Sequence, residues 1–252
     1  CLRVGVNPID FSGSSQPTTH GENIVLRVLD RSKGIVPLEK LNLLPENLDL
    51  LKLLMGRPEG IILVTGPTGS GKTTTLYSML NFRKSIEVNI MTLEDPVEYP
   101  MDMIRQTSIN EVAKMDFASG IRSLMRQDPD IILVGEVRDE ATAEMALRAA
   151  MTGHQVFTTL HTNSALGAIP RLLDIGIKPD IMAGNIIGII GQRLLRTLCK
   201  FCKQPRQAEA VEQLILGVEE AVTLWDACGC ERCGGTGYKG RVAVVEAVDI
   251  ND

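Results

Sequence analysis

The sequence lacks an excess of positive charge. It holds 26 lysine and arginine residues against 31 aspartate and glutamate residues, so its formal net charge is -5 at pH 7. A protein that neutralises a nucleic acid backbone needs a basic surface. The composition therefore argues against nucleic acid as a partner, and we expect none.

Long apolar runs are also missing. The most apolar region late in the chain, Ile181 to Ile190, is ten residues long and contains Asn185, so it is too short and too polar to cross a bilayer. No signal-peptide pattern is visible, and the chain begins at Cys1 rather than Met, so we expect a piece of a longer protein. At 252 residues and 44% apolar content, the chain is long enough for one large domain with a substantial core.

A glycine-rich stretch is the central feature of the sequence. It lies between the apolar run Ile61 to Val64 and a helix-like segment. This arrangement is typical of a phosphate-binding loop, in which glycines let backbone N–H groups converge on anionic oxygens at a helix N-terminus. Lys72 is expected to reach the terminal phosphates of a nucleoside triphosphate, and the Thr73 hydroxyl to bind Mg²⁺. The residues expected to bind the nucleotide are Gly66, Pro67, Thr68, Gly69, Ser70, Gly71, Lys72, Thr73 and Thr74.

Apolar runs alternate with helix-like stretches through the middle of the chain. The runs lie at 61–65, 88–93, 131–134 and 155–160, and the helix-like stretches at 72–83, 117–126 and 139–151, the last with Asp139 as its N-cap. The pattern predicts an α/β fold with a mostly parallel sheet that binds its ligands at the carboxyl ends of the strands. Before this region, two β-like runs, Leu2 to Val6 and Ile24 to Leu29, predict a hairpin joined by a polar loop from Phe11 to Gly21.

Acidic residues follow two of the predicted strands. Glu94 opens an acidic segment after one strand and is our first candidate for the group that positions the attacking water. Glu136 ends the next strand, where Gly135 occupies a position that commonly carries Asp, so Glu136 would act through a metal-bound water or orient the attacking one. Spacing does not separate the roles of these two acids.

Two histidines bracket the run at 155–160. His161 follows it on the side expected to face the nucleotide and is a candidate γ-phosphate sensor, whereas His154 precedes it and is as readily structural. Such sites are often completed by an arginine from a neighbouring subunit. The candidate arginines are Arg3, Arg27, Arg31, Arg122, Arg126 and Arg138.

Four cysteines form two C-x-x-C pairs, separated by 27 residues from Cys202 to Cys230. Thiolates at this spacing suit a tetrahedral structural Zn²⁺ site, which would hold together a segment too polar and glycine-rich to build its own core. The expected ligands are Cys199, Cys202, Cys230 and Cys233, although Cys228 lies nearby and leaves the choice open.

Together these segments resemble the secretion ATPases that drive type II secretion and type IV pilus assembly. The resemblance rests on motifs that occur in one order from about Gly21 to the end of the chain. They are Gly66 to Thr73, Glu94 to Tyr99, Arg126 to Asp130 followed by Gly135 to Asp139, Thr152 to His154 with Leu160 to Asn163, Gln192 to Leu194, the two cysteine pairs, and Gly237 to Arg241.

The resemblance implies a RecA-like ATPase core that works as a hexamer at the inner face of the bacterial inner membrane, where ATP hydrolysis moves membrane platform proteins. It implies a division into residues 1–36, the remnant of a preceding domain with its linker, and an ATPase domain at 37–252 with a zinc subdomain at about 198–240. It also places phosphate-sensing arginines at Arg27, at Arg3 and at Arg31. The catalytic set is then Glu94, Glu136, Lys72, Arg27 and His161, with ATP, Mg²⁺ and Zn²⁺ as ligands.

Three alternatives stay open at this level. A nucleic-acid-stimulated RecA-like translocase would share the core motifs and carry the cysteines as a zinc finger. A pilus retraction ATPase resembles the family in its core but lacks the tetracysteine pair. A nucleotide-binding interaction module would bind nucleotide without hydrolysing it.

Overall fold

A computed structural model describes residues 2–4, 7–30, 34–109 and 115–250 of the chain. Its strands are β1 (Leu2–Val4), β2 (Asn7–Thr18), β3 (Gly21–Asp30), β4 (Gly60–Thr65), β5 (Ile90–Glu94), β6 (Arg105–Ser108), β7 (Ile131–Val134), β8 (Gln155–Leu160), β9 (Ile186–Leu198), β10 (Gln204–Gln207), β11 (Thr223–Asp226) and β12 (Tyr238–Asp249). Its helices are α1 (Pro45–Met55), α2 (Lys72–Arg83), α3 (Phe117–Leu124), α4 (Glu140–Met151), α5 (Ala168–Asp174), α6 (Pro179–Met182) and α7 (Ala210–Leu216).

The largest sheet has seven strands in the order β12-β9-β4-β8-β7-β5-β6. The strand pairs from β9 across to β6 are all parallel. This confirms the predicted α/β fold with a mostly parallel sheet. The strand that precedes the glycine-rich loop, β4, lies between β8 and β9, so the loop emerges near the middle of the sheet.

β4 shows why the sheet has helices on both faces. Its apolar residues alternate between two separate cores, with Ile61 and Leu63 in one and Ile62 and Val64 in the other. Successive side chains of a strand point to opposite faces, so an uninterrupted apolar run is buried only if both faces are covered. The first core includes residues of α3, α4 and α5, and the second includes residues of α1 and α2.

The helix starts follow from local capping. Asp139 accepts a hydrogen bond from the Thr142 backbone N–H at 2.8 Å, which confirms it as the N-cap of α4. Asp116 caps α3 in the same way by accepting from the Ser119 N–H at 2.7 Å. Pro45 occupies the first turn of α1, where its missing N–H has no partner to lose.

The predicted loop near the N-terminus was wrong. The polar stretch that starts near Phe11 is β2, which pairs antiparallel with β3 from Ile9 opposite Asp30 to Thr18 opposite Gly21. Serine and threonine are poor evidence against a strand when a neighbouring strand supplies backbone hydrogen-bond partners, because pairing and not side-chain burial then decides. Ile24 and Leu26 on β3 are exposed, so side-chain burial does not explain this pair of strands.

The chain divides into two compact units. One comprises Cys1–Gln192 with Val245–Asp252, and the other is Arg193–Val244. The second unit contains the antiparallel pair β10 and β11, helix α7 and the C-x-x-C cysteines. Among the described helices, none has the length and apolar character needed to cross a membrane.

Candidate nucleotide site and metal centre

The glycine-rich loop joins β4 to α2 and has the backbone of a phosphate cradle. Gly66, Gly69 and Gly71 have φ values of 147°, 79° and 89°, in a region that other residues rarely adopt. At Gly66, an added Cβ would also collide with the backbone oxygen of Gln192. The loop therefore needs glycine at this position for space as well as for conformation.

Lys72 lies over this loop. Its Nζ donates to the carbonyl oxygen of Gly66 at 2.8 Å and to that of Pro67 at 3.3 Å. Burial lowers the pKa of Lys72, and the negative charge of Glu136 opposes that shift. Lys72 and Glu136 thus interact electrostatically, although 64 positions along the chain separate them.

The loop offers polar groups at its crest and its base. Pro67, Thr68 and Gly69 are exposed, whereas Ser70 is buried. The Ser70 Oγ makes no hydrogen bond to any part of the chain that the structure describes. The hydroxyl-bearing Thr73 and Thr74 follow in the first turn of α2. These are the groups that a phosphate chain and its metal ion would use.

Glu94 is held tightly at the end of β5. Glu94 is 4% exposed. Its Oε1 accepts from the Thr92 hydroxyl at 2.5 Å and from Gln106 Nε2 at 3.2 Å. Its Oε2 accepts from the hydroxyl of Tyr77 on α2. Both carboxylate oxygens are therefore occupied by protein donors, which favours a fixed structural carboxylate over one that takes a proton from water.

Glu136 has a different environment. Its side chain is 20% exposed, one oxygen forms an ion pair with Arg138, and the other lies 3.7 Å from the His161 Nε2. Arg138 also lies 3.8 Å from the Asp95 carboxylate. The structure therefore brings together groups from the ends of three neighbouring parallel strands.

Backbone contacts fix this arrangement. The Gly135 N–H donates to the Leu93 carbonyl at 2.8 Å, and the Thr159 hydroxyl donates to the Gly135 carbonyl at 2.8 Å. The residue before Glu136 is thus tied to both flanking strands. This is the geometry that the rule of ligands at carboxyl strand ends predicts.

The two histidines are at opposite ends of β8. His161 is half exposed beside Glu136, whereas the His154 Nδ1 lies 2.9 Å from the Ala149 carbonyl and 3.1 Å from the Thr152 hydroxyl, at the end of α4. The contacts of His154 agree with the structural interpretation of that residue.

The candidate arginines divide into three groups. Arg138 is in the acidic cluster. Arg122 is in α3 and contacts the Met145 sulfur at 3.8 Å, and Arg126 follows that helix and donates to the Arg122 carbonyl at 2.8 Å. The side chains of Arg3, Arg27 and Arg31 lie outside the described residues.

Four polar residues at the site were not singled out for a role from the sequence. Tyr77, Thr92 and Gln106 hold Glu94. Gln192 holds the loop itself, since its Nε2 donates to the Ser70 carbonyl at 2.8 Å and its Oε1 accepts from Thr75 at 2.7 Å. Gln192 stands in one of the motifs that carry the family resemblance, which is the signal that would have found it.

The four cysteines form a compact cluster in the second unit. The sulfurs of Cys199, Cys202, Cys230 and Cys233 all lie within 4.8 Å of one another. Three of the distances are 3.7, 3.8 and 3.9 Å. A tetrahedral ion with Zn–S bonds of about 2.3 Å requires sulfurs about 3.8 Å apart, so the donor set fits Zn²⁺. Cys228 is exposed and outside the cluster.

The thiols of the cluster differ in their pKa. Burial raises the pKa of Cys202 to about 12; burial acts in the same direction on Cys233, but the N–H groups of Cys230 and Gly237 outweigh it and lower that pKa to about 6. Those N–H groups lie 3.1 and 3.2 Å from the Cys233 sulfur. Four thiols this close ionise together only when a cation offsets their mutual repulsion.

The family model for Type II/IV secretion system proteins matches residues 1–252, the full length of the chain. The chain belongs to this family. Type II secretion system protein E of Pectobacterium carotovorum subsp. carotovorum is 49% identical over 251 residues, covering 100% of this chain and 50% of the relative. Type II secretion system ATPase E of Vibrio cholerae serotype O1 is 45% identical over 253 residues, with the same coverage. The chain thus spans about half the length of these relatives.

Two solved structures are similar in fold to this chain. The pilus retraction motor PilT with bound ADP is 33% identical, with a TM-score of 0.68, and the match covers 98% of this chain and 64% of that one. The ATPase DotB of Legionella pneumophila has a TM-score of 0.66 at 23% identity over 98% of this chain and 63% of that one, which supports the fold alone.

Proposed function

We propose that the chain is the ATP-hydrolysing part of a motor for type II secretion or type IV pilus assembly. The observation that carries this proposal is that the phosphate loop with Lys72 and Glu136 follow the carboxyl ends of two parallel strands, β4 and β7, with β8 between them. The names of the relatives, a secretion ATPase among them, support the same activity.

In this proposal the loop amides and Lys72 bind the phosphates of ATP. The Thr73 hydroxyl would hold Mg²⁺, which supplies charge neutralisation at the phosphates when bound. Glu136 orients the attacking water, because its carboxylate is partly exposed and is not enclosed by uncharged donors as that of Glu94 is. The proton of that water leaves toward the Glu136 carboxylate or a phosphate oxygen as the bond from water to the γ-phosphorus forms. The bond between the γ-phosphorus and the oxygen that bridges it to the β-phosphate breaks, and ADP is the leaving group.

Glu94 and His161 have supporting roles in the proposal. Glu94 fixes the segment after β5 that carries Asp95, and so places the partner of Arg138. His161 is close to Glu136 and is positioned to report on the charge of the γ-phosphate. Arg27 is proposed to complete the site from a neighbouring subunit of a hexamer, as the family resemblance implies.

The cysteine cluster is proposed to hold one Zn²⁺ with a structural role. With four protein ligands, the ion would have no open position for substrate. The partners proposed for the motor are further copies of itself and platform proteins at the cytoplasmic face of the inner membrane. The cysteine cluster favours assembly or secretion over retraction, since the retraction branch lacks the tetracysteine pair.

Phosphate release by the purified full-length protein tests the proposal. Lys72→Ala should abolish both nucleotide binding and turnover. Glu136→Gln should keep binding within about threefold and reduce turnover by at least about a hundredfold, the range for a removed acid–base group. Glu87→Gln is a matched control, because Glu87 is an exposed acid in the connection after α2. This variant should hydrolyse ATP normally.

Normal turnover by Lys72→Ala or Glu136→Gln would refute the proposal. Single-stranded DNA added to the same assay separates the motor from a nucleic-acid translocase. Strong stimulation that disappears with added salt would favour the translocase.

A further inference from the structure

A buried carboxamide lies behind the phosphate loop, on the side away from its exposed crest. Gln192, in β9, is 3% exposed, and both polar atoms of its side chain have partners. Its backbone oxygen also occupies the space that a side chain at Gly66 would need. A buried polar side chain with every group satisfied is costly to replace and specifies its surroundings.

The hydrogen bond from Gln192 to the Ser70 carbonyl also sets the direction of the Gly71 N–H. The Ser70 carbonyl accepts from Gln192 Nε2, and this carbonyl belongs to the same planar trans peptide as the N–H of Gly71. In a trans peptide, C=O and N–H point in opposite directions. Pinning the carbonyl toward Gln192 therefore aims the Gly71 N–H away from it, at the start of α2 where an anion binds.

Thr75 fixes the direction of the carboxamide. Its hydroxyl donates to Gln192 Oε1, so the NH₂ group is left to face the Ser70 carbonyl. The reverse orientation would place two acceptors against each other at Ser70. One side chain thus connects the loop, the first turns of α2 and the middle of β9.

We propose that Gln192 is a positioning residue for nucleotide binding, which acts by holding the Ser70–Gly71 peptide in its phosphate-binding orientation. The inference rests on the proposed function, because it concerns the same phosphate loop. Gln192 does not contact the nucleotide itself. Its loss is expected to raise the KM and Kd for nucleotide much more than it lowers kcat.

Two substitutions test the hydrogen bond separately from packing. Gln192→Leu keeps the side-chain volume and removes both polar groups, so Kd for ATP with Mg²⁺ should rise about tenfold, the effect of one lost hydrogen bond. Gln192→Glu at pH 8 should raise Kd further, because an ionised carboxylate repels the Ser70 carbonyl.

The pH dependence of Gln192→Glu is the most specific readout. A neutral carboxyl group has the same donor and acceptor arrangement as the carboxamide, and burial raises the pKa of a carboxyl group. Nucleotide affinity should therefore be close to that of the wild type below this raised pKa and should be lost as pH rises through it. Wild type and Gln192→Leu, measured over the same range of pH 5.5 to 8, supply the pH dependence of the nucleotide and the rest of the site, and the additional transition should occur in Gln192→Glu alone.

Isothermal titration with ATP and with ADP, together with steady-state kinetics and thermal melting, distinguishes the outcomes. Kd and KM within twofold of wild type in both variants would overturn the inference, as would a lower melting temperature with unchanged Kd. If Gln192→Leu does not fold, the pH transition of Gln192→Glu decides alone, and its absence counts against the inference. Failure of the wild type to bind ATP would instead refute the proposed function.

Discussion

Tyr77 is a buried side chain that ties the helix after the phosphate loop to the acid at the end of β5. Its hydroxyl donates to Glu94 and accepts from the Glu98 N–H at 3.2 Å. Burial raises the pKa of Tyr77 above its usual range, and the adjacent Glu94 charge adds to the effect. The phenol is therefore protonated near neutral pH, where its hydroxyl donates to Glu94.

Tyr77→Phe removes this hydroxyl and keeps the ring. The free energy of unfolding should fall by about 2 kcal/mol, because Glu94 loses a hydrogen bond made to a charged group. Urea unfolding measures this change. In the background of Glu94→Gln the same substitution should cost less than half as much, and equal costs in both backgrounds would show that the two side chains are not coupled.

Residue patterns predicted the phosphate loop but not what supports it. The loop is a local motif, in which glycine, lysine and threonine follow each other along eight positions. The supporting pairs join distant parts of the chain, for example Ser70 with Gln192 and Tyr77 with Glu94. No periodicity records such pairs, because they arise from which strands become neighbours.

The stability of the helices in the unit that carries the phosphate loop depends on their capped ends as much as on their apolar faces. α4 begins at the Asp139 cap, directly after the segment that carries Glu136 and Arg138. The cap defines where the chain leaves the acidic cluster and turns into helix. Its loss is expected to affect both helix stability and the order of that segment.

Asp139→Ala should lower the free energy of unfolding by about 1 kcal/mol, the usual cost of a lost N-cap. Asp139→Asn is the matched control, because it keeps the accepting oxygen and should be nearly neutral. Thermal and urea unfolding measure both. A loss as large for Asn as for Ala would mean that the negative charge near Arg138, and not the cap, is the stabilising feature.

The sequence predicted those strands whose apolar residues are buried in the sheet. The runs at 61–65, 131–134 and 155–160 correspond to β4, β7 and β8 because these strands are buried on both faces. The part of β2 from Gly13 to Thr18 was not predictable, since its residues are exposed and backbone pairing to β3 makes it a strand. The environments of Glu94 and Glu136 were not predictable either, because their order along the chain does not indicate which carboxylate is enclosed by hydrogen-bond donors.

At the scale of the whole molecule, the two units have different sources of stability. The unit that carries the phosphate loop has two apolar cores, whereas α7 in the second unit has no buried residue. Small segments without a large core depend on cross-links or metal ions. The second unit is therefore expected to lose its structure without metal while the first keeps its own.

The wild type should bind one Zn²⁺ per chain, and Cys230→Ser should bind at least tenfold more weakly. Cys228→Ser is the matched control, because Cys228 is exposed in the same segment and outside the cluster, and it should keep the metal. Elemental analysis and Co²⁺ absorption measure binding, and limited proteolysis after chelation reports which segment opens. A Zn²⁺ affinity of Cys230→Ser equal to that of the wild type, measured in competition with a chelator, would contradict the four-thiolate site.

The cysteine-bearing unit leaves and rejoins the rest of the chain along two strands that are neighbours in the seven-stranded sheet, β9 and β12. The Ile250 N–H donates to the Ile187 carbonyl at 3.2 Å, so the chain returns to the point where β9 begins. Neighbouring strands are about 4.8 Å apart, a gap that a two-residue turn closes. A two-residue turn is therefore expected to be long enough to replace this segment and join the two strands directly.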